Sequence, residues 1–383
     1  MLKLIGVAGA GFSGAVIANE LAKAGYQVSV FDPRPHIAGN CFSYRDPQTN
    51  IMLHKYGPHI FHTDKQHIWK YVNQLAEFKP YINRVKANSQ GKIYSLPINL
   101  HTINQFWGLS LSPKQAVDFI HSQADLTIDE PVTFEQQAMK FIGRPLYKAF
   151  FEGYTLKQWG LSPSELPASI LKRLPLRFNY DDNYFNHQYQ GMPSDGYTPL
   201  IETLLSHPNI QLHLGQKITR DMCNMFTHVF YSGPLDAYFD YELGRLPYRT
   251  LEFEEIRTEG DYQGCAVINY CDKEVPYTRI SEHKHFAPWE THTHTVCFKE
   301  YSRQAGEKDE PYYPIRLVDD KALLSSYMQL ASQQQGVTFV GRLGTYRYLD
   351  MDTTIDEALK TAKIFLQAKQ QNTAIPVFVI SPL

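Results

Sequence analysis

Met1-Leu-Lys-Leu-Ile-Gly-Val-Ala-Gly-Ala-Gly-Phe-Ser-Gly14 opens the chain. An apolar strand, Leu4 to Ala8, runs into Gly9-x-Gly11-x-x-Gly14, and a helical pattern follows from Ala15 to Ala24. A second apolar strand, Gln27 to Phe31, ends in Asp32, 18 positions after Gly14. Strand, glycines, helix and acid in this order form the dinucleotide fingerprint. Gly9 permits the tight turn, Gly11 lets backbone approach a pyrophosphate, and Gly14 lets helix and strand pack closely. The helix N-terminus then faces the phosphates. Asp32 can accept hydrogen bonds from ribose hydroxyls.

Working outward, the 383 residues suit two or three domains. Lys and Arg number 37 against 39 Asp and Glu, a net charge of −2, which offers no electrostatic grip on nucleic acid or an anionic membrane. The five cysteines, Cys41, Cys223, Cys265, Cys271 and Cys297, are scattered without a Cys-x-x-Cys pair. Neither a zinc site nor a disulfide framework is indicated, and the usage fits a cytoplasmic protein. The apolar start reads as the first strand and not as a signal peptide. No run is long and apolar enough for a membrane span.

Further along, Leu100 to Trp107, Pro113 to Gln123 and Phe134 to Gln158 have helical spacing, so residues 76–165 read as a helical insertion. Residues Tyr248 to Phe298 alternate polar and apolar, with many β-branched and aromatic side chains, and predict an antiparallel sheet. Thr227 to Ser232 and Val337 to Gly341 are buried strands, and a helix is expected from about Thr353 to Lys369. The fold class is therefore α/β. A discontinuous Rossmann-like FAD-binding domain is expected from 1–75, 191–245 and 320–370. The antiparallel sheet domain takes 166–190 and 246–319, with a mobile loop at 167–186. The apolar tail Ala374 to Leu383 has no functional reading.

The C-terminal piece favours FAD over NAD. Gly341, Arg342 and Asp350 form a second anchor, where N–H groups at a helix start can hold the far end of a long cofactor. A plain helix cap is the competing reading of Asp350.

With these pieces placed, the sequence resembles the bacterial UDP-galactopyranose mutases from Leu4 to about Leu366. The stretches that carry the resemblance include His54-Lys-Tyr-Gly-Pro-His-Ile-Phe-His-Thr63, Gly153-Tyr-Thr-Leu-Lys-Gln-Trp-Gly160, Leu166-Pro-Ala-Ser-Ile-Leu-Lys-Arg-Leu-Pro175, Asp182-Asn-Tyr-Phe185, Pro276-Tyr-Thr-Arg-Ile280, Glu310-Pro-Tyr-Tyr-Pro314 and Gly341-Arg-Leu-Gly-Thr-Tyr-Arg-Tyr-Leu-Asp-Met351. The resemblance implies bound FAD, a homodimer, and interconversion of the pyranose and furanose forms of UDP-galactose. Reduced flavin N5 would attack the anomeric carbon, with no net redox change. A related mutase of another UDP- or dTDP-sugar is the alternative, and an FAD oxidoreductase of the amine oxidase-like fold is a more distant one.

The same resemblance assigns residues. Arg173 and Arg279 would hold the diphosphate, for which arginine's bidentate fork is suited. Tyr184, Tyr313 and Tyr348 would offer hydroxyls to it. Phe150, Phe151, Tyr154 and Trp159 would pack near the uridine, although their spacing is equally that of an ordinary core-facing helix. Asn83 and His62 would stand near sugar and flavin. Gly39, Asn40, Arg342, Asp350 and Met351 join Gly9, Gly11, Gly14 and Asp32 on the cofactor. His59 and His62 lack a nearby acidic third ligand, so no metal site is expected. The chain departs from the family at Ala38, where Gly is usual, at Pro58, where Ala is usual, and at Ser194-Asp195, in place of a Gly-containing pair. Sugar preference is expected to turn on Pro58, His59 and Ser194-Asp195.

Overall fold

The computed structural model describes residues 4–171, 176–315 and 320–383. Among them, Ile210–Leu214, Gln27–Asp32, Leu4–Ala8, His228–Tyr231 and Val337–Phe339 pair in that order as a parallel sheet. Leu4–Ala8 lies at its centre and is apolar throughout, as burial on both faces demands. Helix Phe12–Lys23 is buried over most of its length against this sheet. Gly14 makes that approach possible: a Cβ there would stand 1.9 Å from the Gly9 carbonyl oxygen. The long helix Met351–Gln371 packs beside it and ends where Asn372 turns left-handed.

The second layer is a sheet ordered Tyr313–Pro314, Tyr248–Glu259, His294–Gln304, Arg279–Glu282, Val267–Tyr270, Val85–Ser89 and Lys92–Leu96. It differs from the expected antiparallel sheet at one ladder, since Val267–Tyr270 runs parallel to Val85–Ser89. The chain reaches Val267–Tyr270 only after passing through the helical segment that follows Val85–Ser89. Residues 76–96 also depart from the helical expectation. They hold Phe78–Pro80, Val85–Ser89 and Lys92–Leu96, and helix begins at Leu100. Val85–Ser89 buries every second residue, a period-2 signal too short to stand out beside the helices that follow. Tyr189–Pro193 lies not in the large sheet but between Phe61–Thr63 and Phe78–Pro80.

The tail acquires a structural role. The Phe339 N–H donates to the Val377 carbonyl at 2.8 Å, and Phe378 stacks on Phe339, so the tail covers the edge of the parallel sheet.

Candidate active site

A cavity of about 950 Å³ runs from the end of the parallel sheet to the face of the second sheet and the helical segment. At the first end the wall is mostly backbone. Gly9 has φ of +100°, and a Cβ on Gly39 would lie 3.3 Å from the Gly11 Cα. Gly9, Gly11, Gly39 and Asn40 line this end, while Gly14 does its work behind it in the helix–strand packing. The helices beginning at Phe12 and Met351 both point their N-termini into the cavity, where an anion is favoured. Asp32 accepts the Ala10 N–H on one oxygen and the Arg34 N–H on the other, each at 2.9 Å. Each oxygen keeps a second lone pair for a hydroxyl.

Asp350 makes no side-chain cap bond, although it is the N-cap residue, and it lines the cavity with Met351. Its carboxylate is therefore free for a ligand, against the plain capping reading. Arg342 donates to the Tyr312 carbonyl and lies over the rings of Tyr313 and Tyr348, at 5.4 and 5.5 Å. The residues present thus fit a dinucleotide with a second, polar body beyond it.

Ala38 adopts φ of +71° and ties its N–H to the Ala10 carbonyl at 2.9 Å. An L-residue here is strained, where glycine would not be. Pro58 and His59 line the cavity; Ser194 and Asp195 do not. Ser194 is held by the Glu77 carbonyl and Asp195 faces Arg45 at 3.8 Å, so that pair has no place in the pocket.

At the far end the wall is built of side chains. Asn269, Arg279 and Glu300 are neighbours across three adjacent strands. Arg279 Nε lies 3.2 Å from Glu300, and its Nη2 donates to the Tyr154 hydroxyl at 2.8 Å. Burial disfavours the Arg279 charge, but Glu300, with Tyr154 and Tyr313 behind it, holds the pKa well above the ordinary value. The phenols move the same way. Burial first, and Glu300 second, raises Tyr313; burial raises Tyr154 and Tyr348. All three remain hydroxyl donors at neutral pH. His59 is pushed down to about 4 by burial and by Arg342. Its Nδ1 donates to the Gly57 carbonyl, which leaves Nε2 an acceptor.

His62, Asn83, Tyr154, Trp159, Tyr184, Arg279, Tyr313 and Tyr348 line this end together. Arg173 lies outside the described residues. Phe150 and Phe151 are not part of the wall. Phe150 is buried against Tyr94 and Phe106, and Phe151 packs on the same helical core. The cause is a π turn at Lys148–Glu152. It breaks the i, i+4 register, so that Phe150 turns inward while Tyr154 and Gln158 face the cavity.

Sequence reasoning missed Asn269, Glu300 and Gln158. Asn269 shares a strand face with Val267, and Glu300 with Phe298, so each is a polar residue in an apolar alternation, which is a readable signal. The Oδ1 atoms of Asn83 and Asn269 and the Oε1 of Gln158 are buried without a partner among the described residues. Buried acceptors of this kind call for a ligand donor.

Elsewhere Asp261, Glu282 and His285 lie close together. Lys284 already pairs with Asp261, and Glu282 accepts from the N–H groups of Tyr262, Gln263 and Gly264. That cluster is satisfied by the chain itself.

A family profile described as UDP-galactopyranose mutase matches residues 149–348, and one for an NAD(P)-binding Rossmann-like domain matches 7–75. The chain is 60% identical over 378 residues to a probable UDP-galactopyranose mutase of Klebsiella pneumoniae, across 99% of this chain and 98% of that one. It is 52% identical to a dTDP-fucopyranose mutase of Escherichia coli, across 95% and 99%. A crystal structure of reduced UDP-galactopyranose mutase shares the fold at a TM-score of 0.76 and 14% identity, covering 99% of each chain. A putative protoporphyrinogen oxidase from Exiguobacterium sp. 255-15 shares it at 0.64 and 13% identity, covering 97% of this chain and 100% of that one.

Proposed function

The chain belongs to the UDP-galactopyranose mutase family of nucleotide-sugar mutases, and from that premise we propose that it binds FAD and interconverts the pyranose and furanose forms of UDP-galactose. One observation carries the reading furthest. A dinucleotide cradle opens directly onto a half-buried arginine, its buried carboxylate partner and a set of tyrosine hydroxyls. When bound and reduced, the flavin would supply an electron-rich nitrogen as nucleophile.

The protein's own share is position and charge. Arg279 meets the diphosphate and stabilises it as it leaves and returns. Glu300 holds the guanidinium in place. Tyr154, Tyr184, Tyr313 and Tyr348 donate to phosphate or sugar oxygens. Asn83, Asn269 and Gln158 offer their unpaired carbonyl oxygens to hydroxyl or base N–H groups. Trp159 gives the base an apolar face. Arg342 and Asp350 line the cavity where they would hold the flavin, and Arg342 would favour negative charge on it. Arg173 belongs to the proposal as a second diphosphate ligand on its sequence context, and the homodimer as the assembly the family resemblance implies.

The test is turnover of UDP-galactofuranose by purified, dithionite-reduced protein, with chromatography for UDP-galactopyranose. Conversion by reduced and not by oxidised protein is expected. The 52% relative makes dTDP-fucose forms the second substrates to assay. Preference for them would overturn the sugar and base assignment and leave the mutase assignment intact.

A further inference from the structure

His62 meets the cavity on one side and a second imidazole on the other. Its ring lines the wall and stacks on Phe185, with centroids 3.7 Å apart. Its Nδ1 lies 2.9 Å from Nδ1 of His187, and the two rings are inclined by only 19°. His187 turns its Nε2 outward, 3.9 Å from Asp64, whose side chain is 67% exposed. The arrangement is pinned. Asp64 also accepts the Gln188 N–H at 2.7 Å, and His62 pairs with Gln190 across the antiparallel ladder. Among the described residues nothing bonds Nε2 of His62. The other charged groups facing His62 are Asp350 and Asp352, at the head of the Met351–Gln371 helix.

Two imidazoles joined through Nδ1 share one proton there. With that proton on His62, Nε2 of His62 is a lone pair and can take a proton from a group in the cavity. The shared proton then passes to Nδ1 of His187, and His62 is left neutral with a proton on Nε2. One proton enters, one moves across, and the charge rests on His187 beside Asp64. The reverse returns the proton to the cavity. Burial disfavours charge on His62 itself, whereas half-exposed His187 has a carboxylate near it.

We infer that His187 is a positioning residue that makes His62 a reversible proton store at the cavity edge. This rests on the proposed pyranose–furanose exchange. That exchange must place a proton on the oxygen leaving the ring and remove one from the hydroxyl entering it, with no net change.

The direct test is long-range ¹H–¹⁵N spectra of the flavoprotein labelled at histidine, with His62→Gln used to assign the His62 signal. Over the ordinary range of histidine titration, about pH 8 to 5, His62 is expected to change from the Nδ1–H to the Nε2–H tautomer. Asp64→Asn keeps the bond to Gln188 and removes the carboxylate charge. It should move the tautomer change to lower pH. His187→Phe should abolish the tautomer change and shift the pH profile of kcat while leaving KM within about twofold. A single His62 tautomer across the range, or an unmoved midpoint in Asp64→Asn, would overturn the proposal. The spectra need no substrate. A tautomer change without UDP-galactose turnover therefore faults the substrate assignment alone, and turnover without the change faults the proton store alone.

Discussion

The two ends of the cavity are built by different means. The parallel-sheet end uses backbone: Gly9, Gly11 and Gly39 and two helix N-termini, with Asp32 held by two N–H groups. The far end uses side chains from distant parts of the chain: Tyr154, Asn269, Arg279, Glu300 and Tyr313. A backbone cradle suits a fixed cofactor, because its donors cannot turn away. A side-chain wall suits a substrate, because single exchanges alter preference without touching the fold. Damage at one end should therefore cost cofactor, and damage at the other should cost turnover with the cofactor retained.

The largest break is expected at Gly14→Ala. Its Cβ would collide with the Gly9 carbonyl, so helix and cradle must separate. Purified protein should lose its visible flavin absorbance. Next comes Arg279→Ala, which would remove the proposed diphosphate contact and leaves Glu300 buried without its arginine partner. A fall in kcat/KM of roughly a thousandfold, about 4 kcal/mol, is expected with flavin content unchanged. Loss of flavin in this variant would erase the division between the two ends.

Acid should reach both ends at once. Burial lowers His59 to about 4, and His228 and His283 to about 3, from 6.5. Between 6.5 and those values the unfolded chain binds protons that the folded chain refuses. Stability therefore falls as pH falls, by about 1.4 kcal/mol per pH unit for each histidine in that window. Urea midpoints measured from pH 7 down to pH 5 check the sign.

Smaller effects separate the ends again. Lys157 donates to the carbonyls of Tyr270, Asp272 and Tyr277, tying the helix Gly153–Trp159, which bears Tyr154, to the sheet. Burial lowers its pKa to about 8. Lys157→Met should raise KM by about tenfold with a lesser change in kcat, a cost near 1.4 kcal/mol. Wild-type KM should climb above pH 8 in the same way. Smallest is Ala38→Gly at the cradle. It relieves the left-handed strain and should raise the thermal midpoint by about 1–2 °C, net of the entropy glycine adds to the unfolded chain.

The same contrast explains what could be read from sequence. The cradle is local: strand, glycines, helix and Asp32 fall within one continuous stretch, and each residue's duty follows from its spacing. The far wall depends on register. Asn269, Arg279 and Glu300 meet only because three strands align, and no local pattern states that alignment. Arg279 was legible through the family motif around it; Asn269 and Glu300 had only their place in an apolar alternation. Phe150 shows the limit from the other side. Helical spacing places it with Tyr154, and a single π turn sends it into the core instead.

The most direct test of the whole account is a paired turnover measurement on the flavin-loaded protein, oxidised and reduced, with UDP-galactofuranose as substrate. Conversion to UDP-galactopyranose is expected from the reduced form only, and is nearly abolished in Arg279→Ala with flavin still bound. Equal turnover by both forms, or turnover insensitive to Arg279, would contradict it.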